Sequence, residues 1–179
     1  MTRESDGDAG EVVGWPRRAE NARGRLKMRK QENEAASPYA QNCCIEIHDS
    51  ELDDISLKGA DAVLHFPKVY VHSSAGRPSI DRGTGWGQEA VLRIGNAMIT
   101  GVFLEESRTA NGGVHSLWDG ALTIDGTVSD NLVPIPLDVH GAVELEIQCW
   151  GETVRISGDS ARLELIGEPK YIERFEPEN

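Results

Sequence analysis

The run Val143-Glu144-Leu145-Glu146-Ile147-Gln148-Cys149, followed by Val154-Arg155-Ile156-Ser157 and Arg162-Leu163-Glu164-Leu165, decides the fold. Apolar and polar residues alternate one for one, so one set of side chains meets a core and the other meets water. Gly151 and Gly158-Asp159 stand between the runs, where tight turns are expected. On this reading Leu145, Ile147, Ile156 and Leu163 are buried, and Glu144, Glu146, Arg155 and Arg162 are exposed.

Similar signals extend back to Asn42. Ile45 and Ile47 flank Glu46, and Ile55 and Leu57 precede Gly59. Ala62 to Phe66 forms an apolar run, and Val69 and Val71 alternate with Tyr70 and His72. Pro67 predicts a bulge or an edge position. Ser73 to Gln88, rich in Gly and Ser, reads as the longest loop. Strand patterns resume at Ala90–Ile94, Ile99–Glu105, Leu122–Ile124 and Leu132–Leu137, with a short last strand at Tyr171–Phe175. About ten short strands without an intervening helical pattern predict an all-β fold, an antiparallel sandwich or barrel. It occupies residues 41–179 as a single domain. Residues 1–40 read as a disordered charged extension, with only Leu26 and Met28 as substantial apolar groups in the one possible helix. The natural start could also be Met28.

Charge is distributed unevenly. Residues 1–40 hold 8 Lys/Arg and 7 Asp/Glu, whereas residues 41–179 hold 10 and 23. Such an acidic domain repels nucleic acid and anionic lipid and attracts a basic protein partner. The first 30 residues lack the apolar core of a signal peptide, no apolar run is of membrane-spanning length, and three cysteines do not make a disulfide framework. The expected location is cytoplasmic, with no nucleic-acid or membrane partner.

No catalytic or cofactor motif is complete. Gly83-Thr84-Gly85-Trp86-Gly87 has the wrong spacing and context for a dinucleotide loop, and its glycines are expected to supply positive-φ turns. Asp49, Glu51, Asp53 and Asp54, with Glu46 upstream, form the densest acidic patch, but they fail the calcium-loop template, with Asp54 at its glycine position and Ala60 at its glutamate position. The five histidines have no metal-ligand spacing. No metal and no cofactor are expected. His48, Asp49, His72, Asp81 and Trp86 are the candidate binding residues, polar and aromatic groups at strand ends and in the long loop. Trp118 is a candidate rim aromatic.

Ile45-Glu46-Ile47-His48-Asp49-Ser50 through Ile55, Val69-Tyr70-Val71-His72 with Asp81 and Gly85-Trp86, and Gly167-Glu168-Pro169-Lys170-Tyr171-Ile172-Glu173 resemble small bacterial all-β domains. These include immunity-type proteins of toxin systems, and the resemblance spans residues 43–175. It implies no established activity and transfers no catalytic residue. The expected function is therefore a non-enzymatic interaction module, immunity-like in its sharpest form. The alternative is a small-ligand binder or enzyme using a pocket around His48, His72, Asp81 and Trp86.

Overall fold

Eleven strands and no helix make up residues 42–101, 113–149 and 151–176, which the computed structural model describes. They are β1 (Asn42–Leu52), β2 (Asp54–Lys58), β3 (Asp61–Ser74), β4 (Gly83–Gly95), β5 (Met98–Thr100), β6 (His115–Ser116), β7 (Asp119–Ile124), β8 (Thr127–Asp130), β9 (Leu132–Ile135), β10 (Asp138–Cys149) and β11 (Glu152–Phe175). The expected extension at residues 1–40, and with it the division into tail and domain, lies outside the described residues.

All strand pairs are antiparallel, in the order β6-β1-β3-β4-β11-β10-β7-β8, with β9 also on β1, β2 on β3 and β5 on β11. The sheet curls into a half-barrel, as the alternation predicts. Its two ends are tied by single residues. Asn131 accepts the Ile47 N–H at its carbonyl (2.9 Å) and donates its own N–H to the Gly120 carbonyl (2.7 Å), linking β1 to β7. Leu117 N–H reaches the Ser50 carbonyl and Trp118 N–H reaches the Gln148 carbonyl. These bonds satisfy backbone groups that an open sheet edge would leave to water.

The curl encloses one core. Leu52, Leu64, Leu92, Leu122, Leu145, Ile147 and Ile156 are almost wholly excluded from water. Between Ile45, Val69, Leu92 and Leu145 a residual void of about 10 Å³ remains, against about 300–1,000 Å³ for a typical ligand pocket. The interior is filled by its own side chains.

In β10, Val143, Leu145, Ile147 and Cys149 are buried while Glu144 and Gln148 are exposed, and in β11 Val154 and Ile156 are buried while Arg155 and Arg162 are exposed. Glu146 and Leu163 are intermediate. Two loop expectations are overturned. Gly151 is a turn (φ 82°), but Gly158-Asp159 is not, and β11 runs unbroken for 24 residues through Tyr171–Phe175. Gly158 is needed because a Cβ there would strike the Gly95 carbonyl and Ile94 of the adjoining strand. A bulge opposite it, between His140 and Val143, lets Ile156 and Ala161 both face inward despite their odd spacing. The long loop is also shorter than expected, since Gly83 to Gln88 belong to β4 and pair on both sides, with β3 and β11. Pro67 does sit in a bulge of β3, between Phe66 and Val69.

Replacing Ile147 by Ala should cost about 2–5 kcal/mol in denaturant unfolding, from lost burial plus a cavity. Glu146→Ala should cost about 0.5 kcal/mol or less, because its pair with Arg155 (2.7 Å) is largely solvated. Similar losses at the two positions would place the core on the other face.

Candidate functional site

A bulge in β1 builds the site. Glu46 pairs with Tyr70 and Glu51 with Lys68, so four residues of β1 stand opposite Val69 alone. The Ser50 hydroxyl fills the interrupted ladder by donating to the Glu46 carbonyl (2.7 Å) and accepting the Tyr70 N–H (3.2 Å). With the strand period broken, Glu46, His48 and Asp49 converge although two of them should point to opposite faces. His48 Nε2 lies 3.2 Å from Asp49 Oδ2 and 3.8 Å from Glu46 Oε2. Bulges commonly re-aim side chains beside functional sites.

Glu46 is buried, its side chain only 6 % exposed, and its Oε1 lies 3.3 Å from Nδ1 of the fully buried His72. That nitrogen already accepts the Ser79 N–H at 2.6 Å, so it carries no proton to give the carboxylate. His72 leans on Phe175 with ring centroids 4.4 Å apart, and Tyr70 donates its hydroxyl to Glu173 Oε1 (3.0 Å). Burial, followed by the Glu173 bond, pushes the Tyr70 phenol above its ordinary value and keeps it protonated. Burial and then the Glu46 and Cys43 charges push the Cys44 thiol up to about 12, which removes it as a nucleophile near neutral pH.

Room for this polar layer comes from Gly83, Gly85 and Gly87, which alternate along β4 beneath it. Gly85 lies directly opposite His72 and Gly87 opposite Tyr70. A Cβ on Gly85 would overlap the Tyr70 ring, and one on Gly83 would overlap His72. None of the three has a positive φ. They clear one face of a strand for larger neighbours rather than making the turns expected of them.

The five candidate residues are only partly brought together. His48, Asp49 and His72 gather around Glu46. Asp81 instead closes the turn that covers His72. It accepts the Arg77 N–H (2.6 Å), and that bond, with the Arg77 side chain, holds its carboxyl below the usual range. Trp86 pairs with Val71 on the opposite face, packs against the core, donates to Thr84 Oγ1 (2.8 Å) and meets Tyr171 edge-on at 5.4 Å. Tyr70, Glu173 and Asn131 escape sequence reading, and Glu46 is legible only as an upstream member of the acidic patch. The alternating glycines were the available signal, since a bare strand face implies that neighbouring side chains lie over it.

A second charged constellation crosses three elements. His65 Nδ1 meets Asp53 at 2.6 Å and its Nε2 meets Glu89 at 3.0 Å. These bonds, Glu89 first, raise the imidazole above its ordinary value. Both nitrogens are occupied, so this imidazolium clamps the corner between β1 and β2 onto β4. In comparisons with family models, curated proteins and solved structures, the chain matches none.

Two outcomes follow from this geometry. Gly85→Ala should destabilise by about 1–3 kcal/mol through overpacking against Tyr70. Gly87→Ala, whose Cβ meets only side-chain ends, Ile172 Cδ1 at 3.3 Å and Lys68 Cε at 3.8 Å, should cost clearly less in the same unfolding assay. For His65, the raised folded value means stabilisation is complete below the unfolded value near ~6.5 and fades as pH rises through the folded value. The stability gap between wild type and His65→Gln should therefore narrow from about pH 6 to about pH 9. A constant or widening gap contradicts the clamp.

Proposed function

We propose that this chain is a non-enzymatic cytoplasmic module that docks a basic protein surface on the outer face of β8, β7, β10, β11 and β5. One observation carries this reading. The registers place Asp130, Ala121, Glu146, Arg155 and Thr100 in one row and Val128, Thr123, Glu144, Ser157 and Met98 in the next. Asp119 and Gln148 begin a third row. Among these residues four carboxylates stand beside a single arginine, and that arginine is engaged by Glu146.

Apolar side chains are set into the acidic field. Val128 is 61 % exposed and Met98 64 %, and Trp118, adjoining Asp119, is 65 % exposed. Anchors of this kind within a charged surface are the usual ingredients of a protein interface. A basic partner gains long-range attraction from the carboxylates and apolar burial from the anchors. An interior filled by its own core favours recognition on the outside over a ligand carried within. No helix among the described residues is long and apolar enough to cross a membrane. An immunity-type role, in which this face occludes a basic protein, is the sharpest form of the proposal.

The test begins with a partner captured from a lysate and then purified. Its association rate should fall markedly as salt rises from about 50 to about 500 mM, where the Debye length shrinks from about 14 to about 4 Å. Glu144→Lys with Asp130→Lys should slow association more than it speeds dissociation. A salt-independent rate, or undiminished association by the charge-reversed chain, would sink the proposal.

A further inference from the structure

We propose that the β1 bulge is a binding site for a zinc-like divalent cation, with Glu46, His48 and Asp49 as its ligands. Their donor atoms all lie within 4.8 Å of one another, and the closest pairs are 3.2 and 3.8 Å apart. Donors held about 2.0–2.2 Å from a tetrahedral zinc are about 3.4 Å apart. The set is thus close to its bound geometry. This goes beyond protein docking, and it goes beyond the sequence, in which no histidine spacing suggested a metal.

The burial of Glu46 adds to the clustering. Glu46 Oε1, on the side of the carboxylate that faces His72, is buried without a hydrogen-bond partner, while Oε2 faces His48. Its nearest nitrogen, His72 Nδ1, is committed as an acceptor to Ser79. A buried carboxylate oxygen without a donor is costly. A cation seated between Oε2 of Glu46, His48 and Asp49 sets a positive charge against this buried carboxylate as a whole. Exposure of His48 and Asp49 gives the ion a route in and leaves one coordination position facing water.

His48 and Asn131 set the condition for binding. The Asn131 side-chain oxygen accepts the His48 N–H (3.0 Å) while its amide nitrogen faces His48 Nδ1. Nδ1 is then an acceptor, and Nε2 carries the proton and donates it to Asp49. A cation takes that proton's place on Nε2. The proton passes to Nδ1, the ring stays neutral, and the Asn131 amide turns its oxygen to receive it, giving up the bond that this oxygen accepts from the His48 N–H. Metal-bound histidines usually give their second N–H to such an acceptor. A carboxylate at position 131 would be better suited, accepting from both the backbone N–H and Nδ1–H. One imidazole and two carboxylates favour zinc over calcium, which seeks six to eight oxygen ligands.

The test uses the full chain, stripped with a chelator and titrated with Zn²⁺ and then with Ca²⁺ by calorimetry. One equivalent of Zn²⁺ should bind and raise the melting temperature, with Ca²⁺ bound at least tenfold more weakly. Asp49→Asn and His48→Gln should each weaken Zn²⁺ binding at least tenfold, while Asn131→Asp should tighten it. His140→Gln, at an exposed histidine on β10, should leave it unchanged. Asp49 is on the surface, so its variant remains informative even if changes at Glu46 prevent folding. No saturable binding at millimolar Zn²⁺, or equal binding by wild type, Asp49→Asn and His48→Gln, would overturn the site. Weaker binding by Asn131→Asp would overturn the reorientation of its amide.

Discussion

Asn131 holds the two ends of the sheet together, and the rest of the fold depends on that tie. It sits in the left-handed region at φ 57°, a conformation that asparagine tolerates better than most residues. From there its carbonyl reaches β1 and its N–H reaches β7. Together with the β9 ladder along Cys43 to Glu46, those bonds cover the edge of β1 that an open sheet would expose. The same residue directs its side chain at His48. The tie between the ends of the curled sheet and the orientation of the candidate site therefore share one position.

The sheet divides its chemistry between an inner and an outer world. Inside, the core leaves no space for a ligand. Outside, the polar groups separate into two kinds of surface. Around the β1 bulge the buried Glu46, Tyr70 and His72 lie beside the exposed His48 and Asp49, and Tyr70 is tied to the exposed Glu173. Across β7, β8 and β10 the polar groups are solvated, mostly of one sign and interspersed with exposed apolar groups. The first kind suits a small ion held by several donors. The second suits a broad partner whose own charge does the discriminating.

Strand identity was legible where the period of two survived without interruption. Val143 to Cys149 is the clear case, since every buried position there is the one the alternation selects. Legibility failed where strands bulge or where glycine does something other than turn. Gly158 looks like a hairpin corner in one dimension, but in three it is the point where β11 passes close over Gly95. Gly83, Gly85 and Gly87 look like a loop, yet they are a strand stripped on one face to admit Tyr70 and His72. Glu46 reads as a solvent-facing residue because Ile45 and Ile47 face the core. Only the cross-strand register shows that its own face is covered as well. His48, Asp49 and His72 were legible as strand-end polar groups. Asp81 and Trp86 were not separable from them, because nothing in a sequence says which face of a later strand a residue will take.

The unbroken length of β11 has a consequence for how the chain assembles. Its first half pairs with β10 across the Gly151 turn, a contact that closes a loop of a few residues and can form early. Its second half pairs with β4, joining Phe175 to Gly83 across a long stretch of chain. Those contacts bear the full loop-closure cost, and topologies rich in them fold slowly. A nascent chain therefore completes this sheet only after Phe175 has emerged. Until then the apolar faces of β3 and β4 await their neighbour, an interval in which a molecular chaperone would find its substrate.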